Sequence, residues 1–201
     1  MDNKYTFVEG SLSEVVAGFS QHDVFSLDLE TTGLNPLDSG ILLMQIGFPD
    51  STYVIDVSKV DISPILPFLS NRKWLKLIQQ SKFEQKFIKY HYSCTINNIF
   101  DTKLAENLIS ADAWGSGLAA LSKKYANVDM DKSVRKSFTE ARPISAFTQE
   151  QLDYAALDAS VLFPIWEAQK EKLKEYDLEK VADLEFELAS VVADMELTGL
   201  P

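Results

Sequence analysis

Val24-Phe25-Ser26-Leu27-Asp28-Leu29-Glu30 alternates apolar and polar residues, the period-two pattern of a half-buried strand. Thr31-Thr32-Gly33-Leu34-Asn35-Pro36 interrupts it with turn residues. Ile41 to Phe48 and Thr52 to Val57 predict two further strands, joined through Gly47, Pro49, Asp50 and Ser51, so that a β-meander is expected. Trp74 to Gln79 predicts a fourth strand, followed by a helix from Lys82 to about His91. Thr102 to Ser110 and Gly117 to Tyr125 predict short helices, and Gln149 to Tyr176 one long helix kinked at Pro164. The last element, Leu178 to Leu197, carries Val181, Leu184, Leu188, Val191 and Met195 at spacings of three and four. That stripe seeks a partner surface, either on its own domain or elsewhere. Meander strands, then strand and helix in alternation, then helices, give an α/β order with a mixed sheet flanked by helices.

Length and composition narrow the class. A chain of 201 residues supports one well-cored domain, or one domain with a helical arm. No apolar run approaches the ~20 residues that span a bilayer, and Met1-Asp2-Asn3-Lys4-Tyr5 lacks a signal-peptide pattern. The single cysteine, Cys94, excludes an internal disulfide and suits a reducing, cytoplasmic setting. Two histidines and one cysteine nearly exclude a zinc site, so a metal would be held by oxygen, which points to Mg2+ or Mn2+. The net charge of −11 opposes broad contact with phosphates. The objection weakens where acids converge on divalent cations, because each ion brings two positive charges to the phosphate. Lys123 to Arg142 holds six basic residues against three acids, which reads as a solvated loop or as a phosphate-facing stretch.

Three sets of acids carry the candidate chemistry. Asp28 and Glu30 leave the same face of their strand, while Phe25, Leu27 and Leu29 turn the other face to the core. About four such acid pairs arise by chance in this composition, so the pair alone is also the wet face of a strand. Glu84 opens the helix after the fourth strand, where an acid also serves the helix dipole. Tyr154 and Asp158, four apart, stack on one helix face.

These residues occur in one order with recognisable surroundings. They are Leu27-Asp28-Leu29-Glu30-Thr31-Thr32-Gly33-Leu34, Ser81-Lys82-Phe83-Glu84 with Phe87, and Phe100-Asp101-Thr102 with Leu104-Ala105. Asp131-Lys132-Ser133, Arg142-Pro143-Ile144-Ser145 and Tyr154-Ala155-Ala156-Leu157-Asp158 follow. In these stretches the chain resembles the DEDD superfamily of 3′–5′ exonucleases, in its tyrosine-bearing branch (DEDDy). It is similar to proofreading domains of family A DNA polymerases and to ribonuclease D. The resemblance covers Val24 to Phe163 and implies a ribonuclease H-like sheet. The branch assignment rests on Tyr154, since the histidine branch would need histidine at Asp153.

The resemblance implies two Mg2+ or Mn2+ ions, with Asp28 bridging both, Glu30 and Asp158 completing the first, and Glu84 acting on the second through water. Tyr154 would orient the nucleophilic water, and the product would be a nucleoside 5′-monophosphate. Thr31, Leu34 (as a wedge beside the terminal base), Gln80, Lys132, Arg135 and Arg142 are the implied substrate contacts. Phe138 is expected to stack on substrate or to pack under its loop, and Asp101 to cap a helix. The chain departs from the pattern at Glu84, where aspartate is usual, and at Gln80, where asparagine is common. Met195 to Pro201 resembles the passage into a polymerase domain. Residues 1–176 are therefore expected to form the exonuclease domain, and 177–201 a helix leading to a polymerase domain in the same or an associated chain. Single-stranded DNA is the favoured substrate. Trimming of RNA 3′ ends, and a catalytically weak nucleic-acid-binding domain supporting a polymerase, are the rival readings.

Overall fold

The computed structural model describes residues 5–111, 116–131, 134, 137, 138 and 146–199. Segments rich in β-branched, aromatic and other apolar residues form the strands β1 (Tyr5–Val8), β2 (Val24–Thr31), β3 (Ile41–Gly47), β4 (Thr52–Asp56), β5 (Leu75–Ile78) and β6 (Ile99–Asp101). They form one mixed sheet in the order β1-β4-β3-β2-β5-β6. The pairs β2/β3 and β3/β4 are antiparallel, which is the expected meander. The pairs β1/β4, β2/β5 and β5/β6 are parallel. β2, the strand of the acid pair, is therefore central, held on both edges.

The helices are α1 (Ser13–Gln21), α2 (Leu66–Ser70), α3 (Lys82–Tyr92), α4 (Thr102–Ser110), α5 (Leu118–Leu121), α6 (Gln149–Ser160), α7 (Leu162–Glu175) and α8 (Glu179–Thr198). One sheet face, with Phe25, Leu27 and Leu29, packs against Phe19 of α1 and Phe87 and Ile88 of α3. The opposite face, with Leu43 and Val54, packs against Leu152, Ala155 and Ala156 of α6. Small residues allow a close approach there. A Cβ on Gly47 would lie 2.3 Å from Ser26 Oγ and 3.6 Å from the Ala159 carbonyl oxygen.

Several expectations change. The long helix from Gln149 to Tyr176 is two helices, broken at Val161 rather than bent at Pro164. Proline lacks the N–H that a helix interior uses, but it is tolerated in a first turn, so Pro164 sits as the third residue of a new helix. The expected helix from Gly117 to Tyr125 is α5 followed by a π-helical turn, Ser122–Ala126. β1, α1, α2 and β6 are additional. The last helix packs back on α3, α4 and β6, but not with the face its stripe foretold. It buries Ala182, Phe186, Ala189 and Ala193, and leaves Leu184 (59% exposed) and Leu188, Val191 and Met195 outward. Alanines let α8 lie close to α3, where Lys82 and Lys86 pair with Glu196 and Lys89 pairs with Asp194. Among the described residues no helix is long and apolar enough to cross a membrane.

Candidate active site

Asp28 and Glu30 stand on the α6 side of β2, with a register shift between Glu30 and Thr31. Such a bulge bends the strand beside the acids, although pairing continues through Thr31 and Ile41. Thr31 donates its hydroxyl to the Gly33 carbonyl, and Thr32 and Gly40 exchange two hydrogen bonds, which fixes the turn that carries Leu34. α6 begins at a capping box: the Thr148 hydroxyl accepts from the Gln151 N–H, and the Gln151 side chain accepts from the Thr148 N–H. With the start of α6 fixed, Tyr154 and Asp158 fall one turn apart, facing β2.

The fold gathers the acids. One carboxylate oxygen from each of Asp28, Glu30 and Asp158 lies within 4.8 Å of the other two. Glu84, the third residue of α3 and almost fully buried, lines the same cleft but lies outside that three-residue group. Asp101 sets the position of α3. Its carboxylate accepts from the backbone N–H groups of Gln80 and Ser81 and from the Ser81 hydroxyl, and it caps α4 through Lys103 and Leu104. The expected helix cap is thus a clamp on two helices. Gln80 holds the left-handed backbone conformation at φ 66°, which a non-glycine residue adopts only under local constraint.

The cleft encloses about 210 Å3. Leu34, 73% exposed, stands at its mouth, and Thr31 and Gln80 also line it. Lys103 lines it as well, its ammonium donating to the Gln80 amide oxygen at 2.6 Å. The sequence reading missed Lys103, because a lysine in the first turn of an amphipathic helix carries no pattern of its own. Phe138 is 1% exposed, packs with Leu43, Val54 and Leu152, and also contributes to the lining of the cleft. Lys132, Arg135 and Arg142 lie outside the described residues. Asp153 accepts a hydrogen bond from the Tyr5 hydroxyl.

Electrostatics follow from this crowding. Burial holds the Tyr154 phenol far above its usual pKa, and the charges of Asp158, Glu30 and Asp28 and a hydrogen bond with Asp158 add to the effect. The phenol therefore stays protonated, its O–H donating to Asp158 and its oxygen left to accept. Three hard carboxylate oxygens on a rigid strand and helix match the donor preference of Mg2+ or Mn2+ and not that of softer metals.

The family described as 3′–5′ exonuclease matches residues 7–174, most of the chain. The chain belongs to that family. This exonuclease domain is 30% identical to DNA polymerase I of Aquifex aeolicus, over 100% of the chain and 36% of that protein. It is 26% identical to ribonuclease D of Haemophilus influenzae, over 81% of the chain and 40% of the relative. The chain therefore spans about two fifths or less of these two curated relatives. In fold it resembles Escherichia coli RNase D, with a TM-score of 0.85 and 20% identity over 94% of the chain and 50% of that structure. It likewise resembles Brucella melitensis NrnC with bound Mg2+, with a TM-score of 0.81 and 21% identity over 97% and 92%. Its mixed sheet flanked by helices is thus the ribonuclease H-like architecture of DEDD-type exonucleases.

Proposed function

We propose that this domain is a tyrosine-branch exonuclease that hydrolyses the terminal phosphodiester bond at the 3′ end of single-stranded DNA, releasing nucleoside 5′-monophosphates. The observation that carries the reading is the convergence of Asp28, Glu30 and Asp158 within 4.8 Å beside Tyr154. Asp28, Glu30 and Asp158 would hold one divalent ion, and Asp28 and Glu84 would face a second. Bound there, two such ions stabilise both the attacking and the leaving oxygen of an in-line displacement. The chain's own residues do the rest. The protonated phenol of Tyr154 orients the attacking water, while Asp158 fixes the phenol. Leu34 meets the terminal base with its exposed side chain, and Thr31 and Gln80 line the path of the strand. Lys132, Arg135 and Arg142, which precede Asp158 in the sequence, are the candidates for phosphate contact.

DNA is favoured because the 30% identity to a DNA polymerase runs through the entire chain, into α8. That identity, with the outward apolar stripe of α8, also supports division into residues 1–176 and a connecting helix from 177 that meets a polymerase domain. The second reading, trimming of RNA 3′ ends, is favoured by the ribonuclease D relatives. A half-buried, unbridged Cys94 accords with a cytoplasmic setting.

The test offers 5′-labelled single-stranded DNA and RNA side by side with Mg2+, Mn2+ or chelator. The expected result is a metal-dependent ladder of single-nucleotide steps on DNA, abolished by Asp28→Ala. Undiminished cleavage by Asp28→Ala refutes the site, and preference for the RNA strand selects the second reading.

A further inference from the structure

Gln45 lies in the middle of β3 and is fully buried. In the antiparallel ladder its direct partner on β2 is Asp28, and its direct partner on β4 is Val54. Directly opposed residues share a face, and Val54 packs against Leu152, Ala155 and Ala156 of α6. The Gln45 side chain is therefore on the α6 side, beside the carboxylate cluster, in the seam that Gly47 keeps narrow. An amide there needs partners. Neither its oxygen nor its nitrogen has a hydrogen-bond partner among the described residues, and the same is true of the buried hydroxyl of Ser26. Ser26 precedes Asp28 by two positions on the same face of β2, and lies diagonally across from Gln45.

Burying an amide and a hydroxyl without partners opposes folding strongly, and an aliphatic side chain would fill that space without the penalty. Buried groups that break a local rule in this way mark function more often than packing. The inventory of donors and acceptors permits one arrangement that satisfies all three atoms at once. The Ser26 hydroxyl donates to the amide oxygen, and the amide N–H2 donates to a carboxylate oxygen of Asp28. Opposed Cβ atoms in such a ladder are about 5 Å apart, within reach of a glutamine side chain.

We propose, resting on the metal site argued above, that Gln45 is a positioning residue for Asp28. A Ser26–Gln45–Asp28 chain closes when a divalent cation draws the carboxylate into ligation, and it fixes which oxygen faces the metal. Groups one step removed from the metal act in this manner, and their removal weakens metal binding by roughly 10–100-fold.

The experiment titrates the wild-type chain, Gln45→Met and Ser26→Ala with Mn2+ alone by calorimetry, and follows thermal unfolding of each without metal. The expected result splits the two readouts. Gln45→Met binds Mn2+ at least ~10-fold more weakly yet melts at the same or a higher temperature, since methionine fills the seam without a stranded amide. Ser26→Ala weakens binding by a smaller factor. A glutamine serving only the architecture gives the reverse, a lower melting temperature with unchanged Mn2+ affinity, and overturns the proposal. If Gln45→Met does not fold, unchanged affinity in Ser26→Ala overturns it equally. A wild type that binds no Mn2+ overturns the metal site and this proposal together. A wild type that binds Mn2+ no better than Gln45→Met overturns the role of Gln45 alone.

Discussion

Replacing Asp101 with alanine should unfold the junction on which the cleft is built. The carboxylate is 1% exposed and accepts five hydrogen bonds. Oδ1 takes the N–H groups of Lys103 (2.9 Å), Leu104 (3.1 Å) and Gln80 (3.2 Å), and Oδ2 takes the Ser81 N–H (2.6 Å) and hydroxyl (2.7 Å). Loss of the cap on α4 costs about 1 kcal/mol. Stranding the buried donors of Ser81 adds about 1–3 kcal/mol. The positive φ of Gln80 also loses the bond that holds it. A total of about 2–4 kcal/mol follows, a large share of the roughly 5–15 kcal/mol that stabilises a domain. Asp101→Asn keeps one acceptor oxygen and sets an N–H2 against the Ser81 N–H, for about half that loss. Urea unfolding monitored by far-UV circular dichroism measures both. Asp101→Ala losing less than about 1 kcal/mol, or Asp101→Asn matching wild type, would refute the clamp.

Lys76 is fully buried in β5, its ammonium donating to the carbonyls of Asn71 and Trp74, and burial pulls its pKa from 10.5 down to about 7. Because the folded value lies below the unfolded one, its penalty is fully present below pH 7 and shrinks as pH rises toward 10.5. Stability should therefore climb by at most about 1.4 kcal/mol per pH unit across that window, and Lys76→Met should remove the slope in denaturation curves taken at successive pH values. Glu84→Asp should leave turnover with Mn2+ unchanged or raised, because the resemblance of the sequence to DEDD exonucleases implies the shorter acid at this place. A hundred-fold fall would mean that the site needs the longer reach. Gly18→Ala would place a Cβ 2.4 Å from the Phe48 ring and should cost about 1–3 kcal/mol in thermal unfolding, without altering Mn2+ affinity.

The legible parts of the fold were those with a strong period. β2 showed its two faces because Phe25, Leu27 and Leu29 alternate with acids, and α3 and α6 were found because their apolar residues recur at helical spacing. β1 and β6, four and three residues long, are too short to show any period, and their partners lie far away in the chain. α8 misled for a different reason. It has two apolar stripes, and the larger side chains drew attention although the alanines make the closer contact. Lys76 and Gln45 read as polar interruptions in apolar strands, and only three-dimensional pairing reveals that both are fully buried. The convergence of Asp28, Glu30 and Asp158 was legible, whereas the clamp of Asp101 and the position of Lys103 depend on how two helix starts meet.

The ion pairs between α3 and α8 give salt an unexpected hold on this domain. Lys82, Lys86 and Lys89 project from the helix that carries Glu84, and the acids of α8 mask all three. At an ionic strength near 1 M the reach of such charges contracts to about 3 Å, and the buried face of Ala182, Phe186, Ala189 and Ala193 then carries more of the docking. Cutting the chain after Tyr176 would go further, baring three cations on the flank of an otherwise acidic molecule. The shortened protein should adhere to polyanions without regard to strand ends, turning a selective cleft into one part of a sticky surface.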